Sequence, residues 1–187
     1  MRVELLSVKG TWRDIADACN TTIGIDPGDK EPSEKWKRTI LKCEHSPIRK
    51  MSFNLKLHDI PSYVSVHLVR HKIGIEHFVR SQRTDRTGTD RSKLPQDSLV
   101  THEIDANLQA LITISRKRLC SQADPMTRGI WRKVCQHISE YDYVIGQSLV
   151  PECVYRGFCP EFKCCGYVGS EKYEEQLKRY RGEQYVF

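Results

Sequence analysis

The sequence contains no run of about 18 apolar residues, the length that a membrane-spanning helix requires. Its first residues also lack the apolar stretch of a secretory signal peptide, so we expect a cytoplasmic protein with no membrane partner. The cytoplasm is reducing, and disulfides are rare there. We therefore expect the 8 cysteines to be thiols or metal ligands rather than disulfide partners.

Internal repeats and low-complexity tracts are also absent from the 187 residues. Hydrophobic residues make up 39% of the chain and charged residues 29%, a balance typical of a globular protein rather than a disordered one. This length is enough for one domain with its own hydrophobic core. We predict a single domain over residues 1–187, with a cysteine-rich segment at 151–167 and a charged, helical tail at 170–187.

Positive charges exceed negative charges by 6, which favours an anionic partner. The basic residues gather between Arg70 and Arg132, and the polar loop at 80–95 is rich in arginine, which binds phosphate through paired hydrogen bonds. That loop contains no aromatic residue on which nucleic-acid bases could stack. A phosphate-bearing small molecule is the favoured partner. The alternative from another class is a basic nucleic-acid-binding protein supported by a zinc ion.

Alternating apolar and polar residues predict a strand at 51–57, where Met51, Phe53, Leu55 and Leu57 share one face. The other predicted elements are a strand at 2–8, and helices at 11–19, from about 32 to 45, and at 61–71, 104–120 and 125–149. Together these elements indicate an α+β fold, in which a small antiparallel sheet is covered by helices.

Three short motifs follow one another in the first half of the chain. They are Glu44-His45, the segment LVRHKIG at 68–74, and Ser81-Gln82-Arg83. In their order they resemble the Glu-His element and the Arg-His-Arg and Ser-x-Arg signature of the flavin-dependent thymidylate synthases, also called thymidylate synthase-complementing proteins.

Motifs further along the chain extend this resemblance. The segment RSKLP at 91–95 is similar to the family's Arg-x-x-Leu-Pro element, and Asn107 falls at the family's Asn ahead of a helix. The helix predicted there ends in Arg118-Leu119-Cys120, similar to the end of the family's helix. Several elements in one order are more specific than any single motif, and they cover about residues 45–128.

The resemblance implies a flavin-dependent reductive methylation of dUMP to dTMP, and hence a role in nucleotide biosynthesis. FAD would be the cofactor, methylenetetrahydrofolate would supply the one-carbon unit, and NADPH would supply the reducing equivalents. The resemblance also implies a homotetramer with sites between subunits. The alternatives are a homologue that acts on another pyrimidine nucleotide and an inactive one that only binds flavin and nucleotide.

The resemblance also assigns residues by position. The implied flavin contacts are His45, Arg70, His71, Lys72, Ile73 and Asn107. The implied nucleotide contacts are His67, Ser81, Gln82, Arg83, Arg91 and Arg118. Arg118 and Arg70 are implied to be catalytic, since an arginine can stabilise the negative charge that develops on the uracil ring.

The sequence departs from the family's pattern at some of these positions. Lys72 stands where the family has Arg, which replaces a planar fork of donors by a point charge. One additional residue precedes Ser81, so the resemblance places neither Glu76 nor His77. Gln109 stands where the family has an Arg that contacts the flavin.

The cysteine-rich segment is not explained by the resemblance. Its candidate zinc ligands are Cys153, Cys159, Cys164 and Cys165. Most structural zinc sites have paired ligands two to four residues apart, and these gaps are wider. Two interpretations therefore stay open: structural zinc, with Cys120, Cys135 or His137 as a further candidate ligand, or buried free thiols that pack as small apolar groups.

Overall fold

The segment predicted as a strand at 51–57 lies inside a four-stranded antiparallel sheet. In the computed structural model, which describes residues 1–182, the strands are β1 (Arg2–Lys9), β2 (Ser52–Pro61), β3 (Ile75–Val79) and β4 (Leu99–Asn107). Their order across the sheet is β1-β2-β4-β3, and each neighbouring pair is antiparallel. The predicted α+β fold with a small antiparallel sheet is therefore confirmed.

The buried face of the sheet follows from the alternation in β2. Phe53, Leu55 and Leu57 are fully buried on that face, as period-two alternation requires. The register places Phe53 opposite Ala106 of β4 and Leu57 opposite His102. Because side chains alternate along β4 as well, His102 is carried into the core.

Helices cover this buried face and surround the sheet. In chain order they are α1 (Trp12–Thr22), α2 (Glu34–Cys43), α3 (Ser62–Leu68), α4 (Thr84–Thr87), α5 (Leu108–Arg118), α6 (Pro125–Tyr141), α7 (Tyr143–Ser148), α8 (Glu152–Arg156) and α9 (Glu171–Arg181). Short 3-10 helices lie at Ser46–Lys50 and Arg91–Lys93. α6 contacts β1, α5 contacts β4, and α3 contacts both central strands. None of the helices in residues 1–182 is long and apolar enough to cross a membrane.

Several of the predicted helix boundaries are wrong. The helix predicted at 61–71 ends at Leu68, so Arg70 and His71 lie in the loop that follows it. The helix predicted at 104–120 begins at Leu108, because residues 104–107 continue the alternating burial of β4 and Asn107 then caps α5. The helix predicted at 125–149 ends at Tyr141, because the Asp142 side chain accepts from the Ile145 backbone N–H and so caps α7. β3 was assigned to no element from the sequence, since Glu76 and His77 interrupt its apolar pattern.

A small separate core holds the C-terminal part of the described chain. Val150, Cys153, Val154 and Tyr173 bury one another between α8 and α9. The tail predicted at 170–187 is helical over Glu171–Arg181, and residues 183–187 lie outside the described residues. Between these helices, residues 157–170 contain no helix or strand. This segment carries the second half of the cysteine-rich sequence.

Candidate functional site

A cavity of about 520 Å³ lies between the loop that follows α3 and the start of α5. Its lining includes Arg49, Arg70, His71, Lys72, Ile73, Gly74, Asn107, Gln109, Ala110, Thr113 and Ile114. Five of the six predicted flavin contacts, from two separate segments of the chain, therefore line one cavity. The sixth, His45, is not among the lining residues and precedes the 3-10 helix at Ser46–Lys50 as its exposed cap residue.

A tight junction between Gly74 and Asn107 brings the two segments together. The backbone N–H of Asn107 donates to the Gly74 carbonyl over 2.8 Å, and the Asn107 side chain accepts from the Ala110 N–H over 2.9 Å. Gly74 has a φ of 71°, and a Cβ at this position would lie 2.4 Å from Asn107 Nδ2. Only glycine meets both conditions without strain, so Gly74 fixes the path of the loop over the helix start.

Three cations at this cavity have no anionic partner in the part of the chain that the structure describes. Arg49, Arg70 and Lys72 are exposed and form no ion pair with a carboxylate there. Ile73 beside them is 91% exposed, an unusual position for an apolar side chain. Unpaired cations around an open cavity suit a ligand with phosphate groups, and the exposed apolar side chain suits a flat ring.

Arg118 is held next to this cavity by His71 of the loop and by His67 at the end of α3. Its Nε–H donates to His71 Nε2 over 3.0 Å, and Nη2 donates to the His67 carbonyl. Two of the five guanidinium N–H groups are thus used, and the Nη1 group is left for other partners. Burial, and then the neighbouring Arg70, lower the pKa of Arg118.

His71 must be neutral to accept this hydrogen bond. Burial, followed by the charges of Arg118 and His77, lowers the pKa of His71 to about 4. At neutral pH the ring therefore carries its single proton on Nδ1, and Nε2 is free to accept from Arg118. His71 thus orients the guanidinium as well as lining the cavity.

Two further histidines, which the resemblance did not place, form a hydrogen-bonded chain that contacts the same loop. His77 Nε2 donates to the His71 carbonyl over 2.8 Å, and His77 Nδ1 shares a hydrogen bond of 3.0 Å with His102 Nε2. His102 is fully buried, and burial, then His77, lowers its pKa to about 4. Its Nδ1 has no partner within residues 1–182. The alternation of β4 was the sequence signal that could have identified His102.

His67 is part of a separate hydrogen-bonded chain at the end of α3. Its Nδ1 lies 2.8 Å from the Thr127 hydroxyl, which donates to Asp124 Oδ1 over 2.9 Å. Because that hydroxyl proton is used by Asp124, His67 Nδ1 must be the donor to the Thr127 hydroxyl. His67 does not line the cavity, but its carbonyl binds Arg118.

Four of the predicted nucleotide contacts, those expected at its phosphate and sugar, do not reach the cavity within one chain. Ser81, Gln82, Arg83 and Arg91 are absent from its lining. Gln82 donates to the Ser98 hydroxyl over 2.8 Å, and Arg83 pairs in bidentate fashion with Asp85 at 2.9 and 2.8 Å. The loop that carries them is formed by α4 and the 3-10 helix at Arg91–Lys93. It is an exposed basic surface beside the edge strand β3.

Gln109, which stands where the family has an Arg, carries no charge and is hydrogen-bonded to Glu44. The Glu44 carboxylate accepts from Gln109 Nε2 over 2.6 Å and pairs with Arg116. Arg116 in turn lies over the Tyr155 ring at 3.4 Å. Glu44 of the predicted Glu-His element therefore braces α5, while its neighbour His45 is exposed.

The predicted zinc ligands do not form a closed metal site. Among residues 1–182, no three His, Cys, Asp or Glu side chains are grouped closely enough to hold a metal ion. The eight cysteines are free thiols. Cys120, Cys153, Cys159 and Cys165 line a second cavity of about 690 Å³ between the end of α5 and residues 157–170.

No protein-family model and no curated protein matches the chain. Solved structures do match it. The UMP/dUMP methylase PolB from Streptomyces cacaoi, bound with 5-Br dUMP, has a TM-score of 0.65 and 13% identity, over 84% of this chain and 95% of that chain. Thymidylate synthase X (ThyX) from Helicobacter pylori, with FAD and dUMP, has a TM-score of 0.65 and 11% identity, over 80% of this chain and 99% of that one. A second structure of the Helicobacter pylori enzyme complexed with FAD and dUMP has a TM-score of 0.62 and 13% identity, over 78% and 98%. The chain therefore has the fold of the flavin-dependent thymidylate synthases, as the resemblance implied.

Proposed function

We propose that this protein is a flavin-dependent enzyme that methylates dUMP at C5 to give dTMP, with FAD as cofactor and methylenetetrahydrofolate and NADPH as co-substrates. The observation that carries the proposal is the cavity in which Arg70, His71, Lys72, Ile73 and Asn107 come together. The fold supports it, since the matching structures from Helicobacter pylori contain FAD and dUMP.

The chemistry of the cavity fits FAD. Its unpaired cations Arg49, Arg70 and Lys72 would bind the pyrophosphate, and exposed Ile73 would pack against a ring. Asn107 uses its side-chain oxygen to cap α5, so only its Nδ2 group is left to donate to a bound flavin. When bound, the flavin would supply the hydride that reduces the transferred one-carbon unit.

In the proposed reaction, the chain's own contribution is to orient and stabilise the pyrimidine. Arg118 is fixed by His71 and by the His67 carbonyl, so its Nη1 group needs no reorganisation to bind a uracil carbonyl. A fixed cation at that oxygen stabilises the negative charge that the ring acquires as C5 attacks the one-carbon unit. Arg70, whose charge acts on Arg118, would contact both the flavin and the nucleotide.

A direct test of flavin binding compares two exposed arginines. We expect Arg70→Ala to weaken FAD binding by roughly tenfold to a hundredfold, the usual cost of losing a hydrogen bond to a charged group. Arg13→Ala is the matched control, because Arg13 is an exposed arginine of α1 that pairs with Asp29. Quenching of FAD fluorescence gives both dissociation constants. Equal dissociation constants for the two variants would show that the cavity does not bind the flavin.

Catalysis itself is tested by thymidine-free growth and by substrate choice. A bacterium that requires thymidine should grow without it when it carries this chain. Purified protein should be assayed with dUMP and with UMP, since PolB is a methylase of both. Turnover of UMP alone would favour the alternative of another pyrimidine nucleotide. FAD and dUMP binding without product would favour the inactive homologue, and salt-dependent DNA binding without flavin would favour the nucleic-acid-binding alternative.

The proposed site is completed by other copies of the chain in a homotetramer. Ser81, Gln82, Arg83 and Arg91 do not line the cavity of their own chain, so a neighbouring subunit would bring them to it. The edge strand β3 and the adjacent start of β4 expose Phe78 and Leu99, which are 58% and 61% accessible. An apolar sheet edge of this kind favours association with a partner.

We expect tetramers in sedimentation experiments at micromolar concentration. Phe78→Arg should shift the protein towards smaller species, because it places a charge on the exposed edge. Phe162→Arg is the matched control, since Phe162 is an equally apolar and fully exposed residue in a different region. A wild-type protein that sediments as a monomer would contradict the assembly and leave the proposed site incomplete.

A further inference from the structure

The guanidinium of Arg118 is anchored at two of its nitrogen atoms, and the two anchors belong to different parts of the fold. Nη2 donates to the His67 carbonyl, which lies in the last turn of α3 and moves with that helix. Nε donates over 3.0 Å to His71 Nε2, and His71 lies beyond the end of α3 at Leu68. The orientation of the guanidinium therefore depends on what holds His71 in place.

The loop at 69–74 gives His71 little support from its own side chains. Four of its six residues are exposed, so they do not pack into the core. The backbone is bound near the start of the loop, where the His71 N–H donates to the Leu68 carbonyl over 3.0 Å, and at its end by the Gly74–Asn107 junction. Between these points the His71 carbonyl accepts from His77 Nε2 over 2.8 Å. This bond fixes the orientation of the peptide group that follows the His71 ring.

His77 is itself held by the sheet. It lies directly opposite Ile104 of β4, which is fully buried, and residues directly opposite each other share one face of a sheet. On that face His77 Nδ1 shares a hydrogen bond of 3.0 Å with His102 Nε2, and the two ring centroids are 5.1 Å apart. His102 is fully buried in a close-packed core, where a ring cannot turn freely. His102 therefore holds His77 in one orientation.

We propose that His77, held by His102, is a positioning residue for catalysis, because it keeps His71 where the ring orients the Arg118 guanidinium. The proposal rests on the proposed function and adds a chain of contacts from the rigid sheet to the catalytic side chain. Groups supported by strands are held more precisely than groups supported by loops alone. A misplacement of about 1 Å caused far from the chemistry can lower a rate about a hundredfold.

Turnover of His77 variants gives the first test. His77→Leu is expected to lower kcat about tenfold to a hundredfold. This loss is smaller than that expected for Arg118→Ala, because the His67 carbonyl still binds Nη2. His77→Gln should retain most of kcat, since its amide N–H can donate to the same carbonyl. His58→Leu is the matched control, because His58 is a partly exposed histidine of β2 that pairs with Glu4, and it should keep the wild-type kcat.

A double-mutant cycle shows whether the effect of His77 passes through Arg118. If His77 acts by positioning the guanidinium, His77→Leu should lower kcat little further once Arg118→Ala has removed that group. FAD affinity should change far less than kcat in His77→Leu, because the exposed side chains of Arg70 and Lys72 can adjust to a small shift of the loop. General damage to the fold would lower kcat by the same factor in both backgrounds, and that result would overturn the proposal.

The orientation of Arg118 can also be measured without turnover. In a proton–nitrogen correlation spectrum of the protein alone, the Arg118 Nε–H bound to His71 should give a resolved signal that exchanges slowly with water. The signal is assigned by its absence in Arg118→Ala. His77→Leu should broaden or abolish it, whereas His77→Gln and His58→Leu should retain it. A signal unchanged in His77→Leu would overturn the positioning role. A signal that depends on His77 in a protein without turnover would support that role and contradict the proposed function.

Discussion

Arg118→Ala is expected to lower kcat about a hundredfold to a thousandfold, the usual cost of removing one preorganised donor to a developing negative charge. FAD affinity should change far less, because Arg118 lies beside the cavity lining rather than in it. Its guanidinium is already oriented by His71 and the His67 carbonyl before substrate arrives. The interaction is therefore strengthened mainly in the transition state, and its loss appears in kcat rather than in KM.

Two comparisons make this result specific. Arg118→Lys keeps the charge but cannot bind His71 and the His67 carbonyl with one planar fork, so we expect an intermediate loss of kcat. Arg91→Ala should raise KM and leave kcat nearly unchanged, since a phosphate contact is made equally before and during the reaction. If Arg118→Ala and Arg91→Ala changed kcat and KM in the same way, the roles assigned to them would be wrong.

The second large effect is a loss of stability between pH 7 and pH 5. The pKa of His102 is about 4 in the folded protein and about 6.5 in the unfolded chain, so the unfolded state binds more protons across this range. Stability is therefore fully present above about pH 6.5 and falls as the pH is lowered towards 4. For His102 alone the free energy of unfolding should decrease by about 2 kcal/mol by pH 5. His71, with its pKa also near 4, acts in the same direction.

Urea unfolding measured at pH 7, 6 and 5 tests this expectation. His102→Leu should reduce the pH dependence, whatever its effect on stability at pH 7. His58→Gln, a partly exposed histidine of β2 that pairs with Glu4, should leave the dependence in place. The range above pH 5 is the informative one, because carboxylates with lowered pKa values, such as Asp124, add their own losses at lower pH. If the free energy of unfolding stayed constant from pH 7 to pH 5, the buried histidines would not be held neutral in the folded protein.

The sequence predicted those features that depend on local pattern. The alternation at 51–57 identified β2. Asn107, which caps α5, was placed ahead of a helix by the resemblance, whereas the local pattern put the start of that helix at residue 104. β3 and β4 were missed, because charged and histidine residues interrupt their apolar pattern and only pairing with neighbours makes them strands. Residues 104–107, which belong to β4, were wrongly predicted to be helical for the same reason.

The candidate site was predicted only in part, because some of its residues are neighbours in the sequence and others meet only in the folded chain. Arg70, His71, Lys72 and Ile73 are contiguous, so placing one places all of them, and the resemblance placed Asn107. The support beneath them was not visible, since His77 and His102 meet only through the β3–β4 pairing. Ser81, Gln82, Arg83 and Arg91 do not line the cavity of their own chain, and no local sequence pattern indicated this separation.

Backbone amides at the junction of β4 and α5 would report local opening in hydrogen–deuterium exchange. Three backbone amides within four residues there have different acceptors: the Asn107 amide binds the Gly74 carbonyl, the Leu108 amide binds the Met51 carbonyl, and the Ala110 amide binds the Asn107 side chain. Their exchange rates therefore respond separately to opening of the loop, of the adjoining β2 and of the helix start. A ligand that closes only the loop over the cavity would slow exchange at Asn107 and leave Leu108 unchanged, so a single peptide would show which part of the junction had moved.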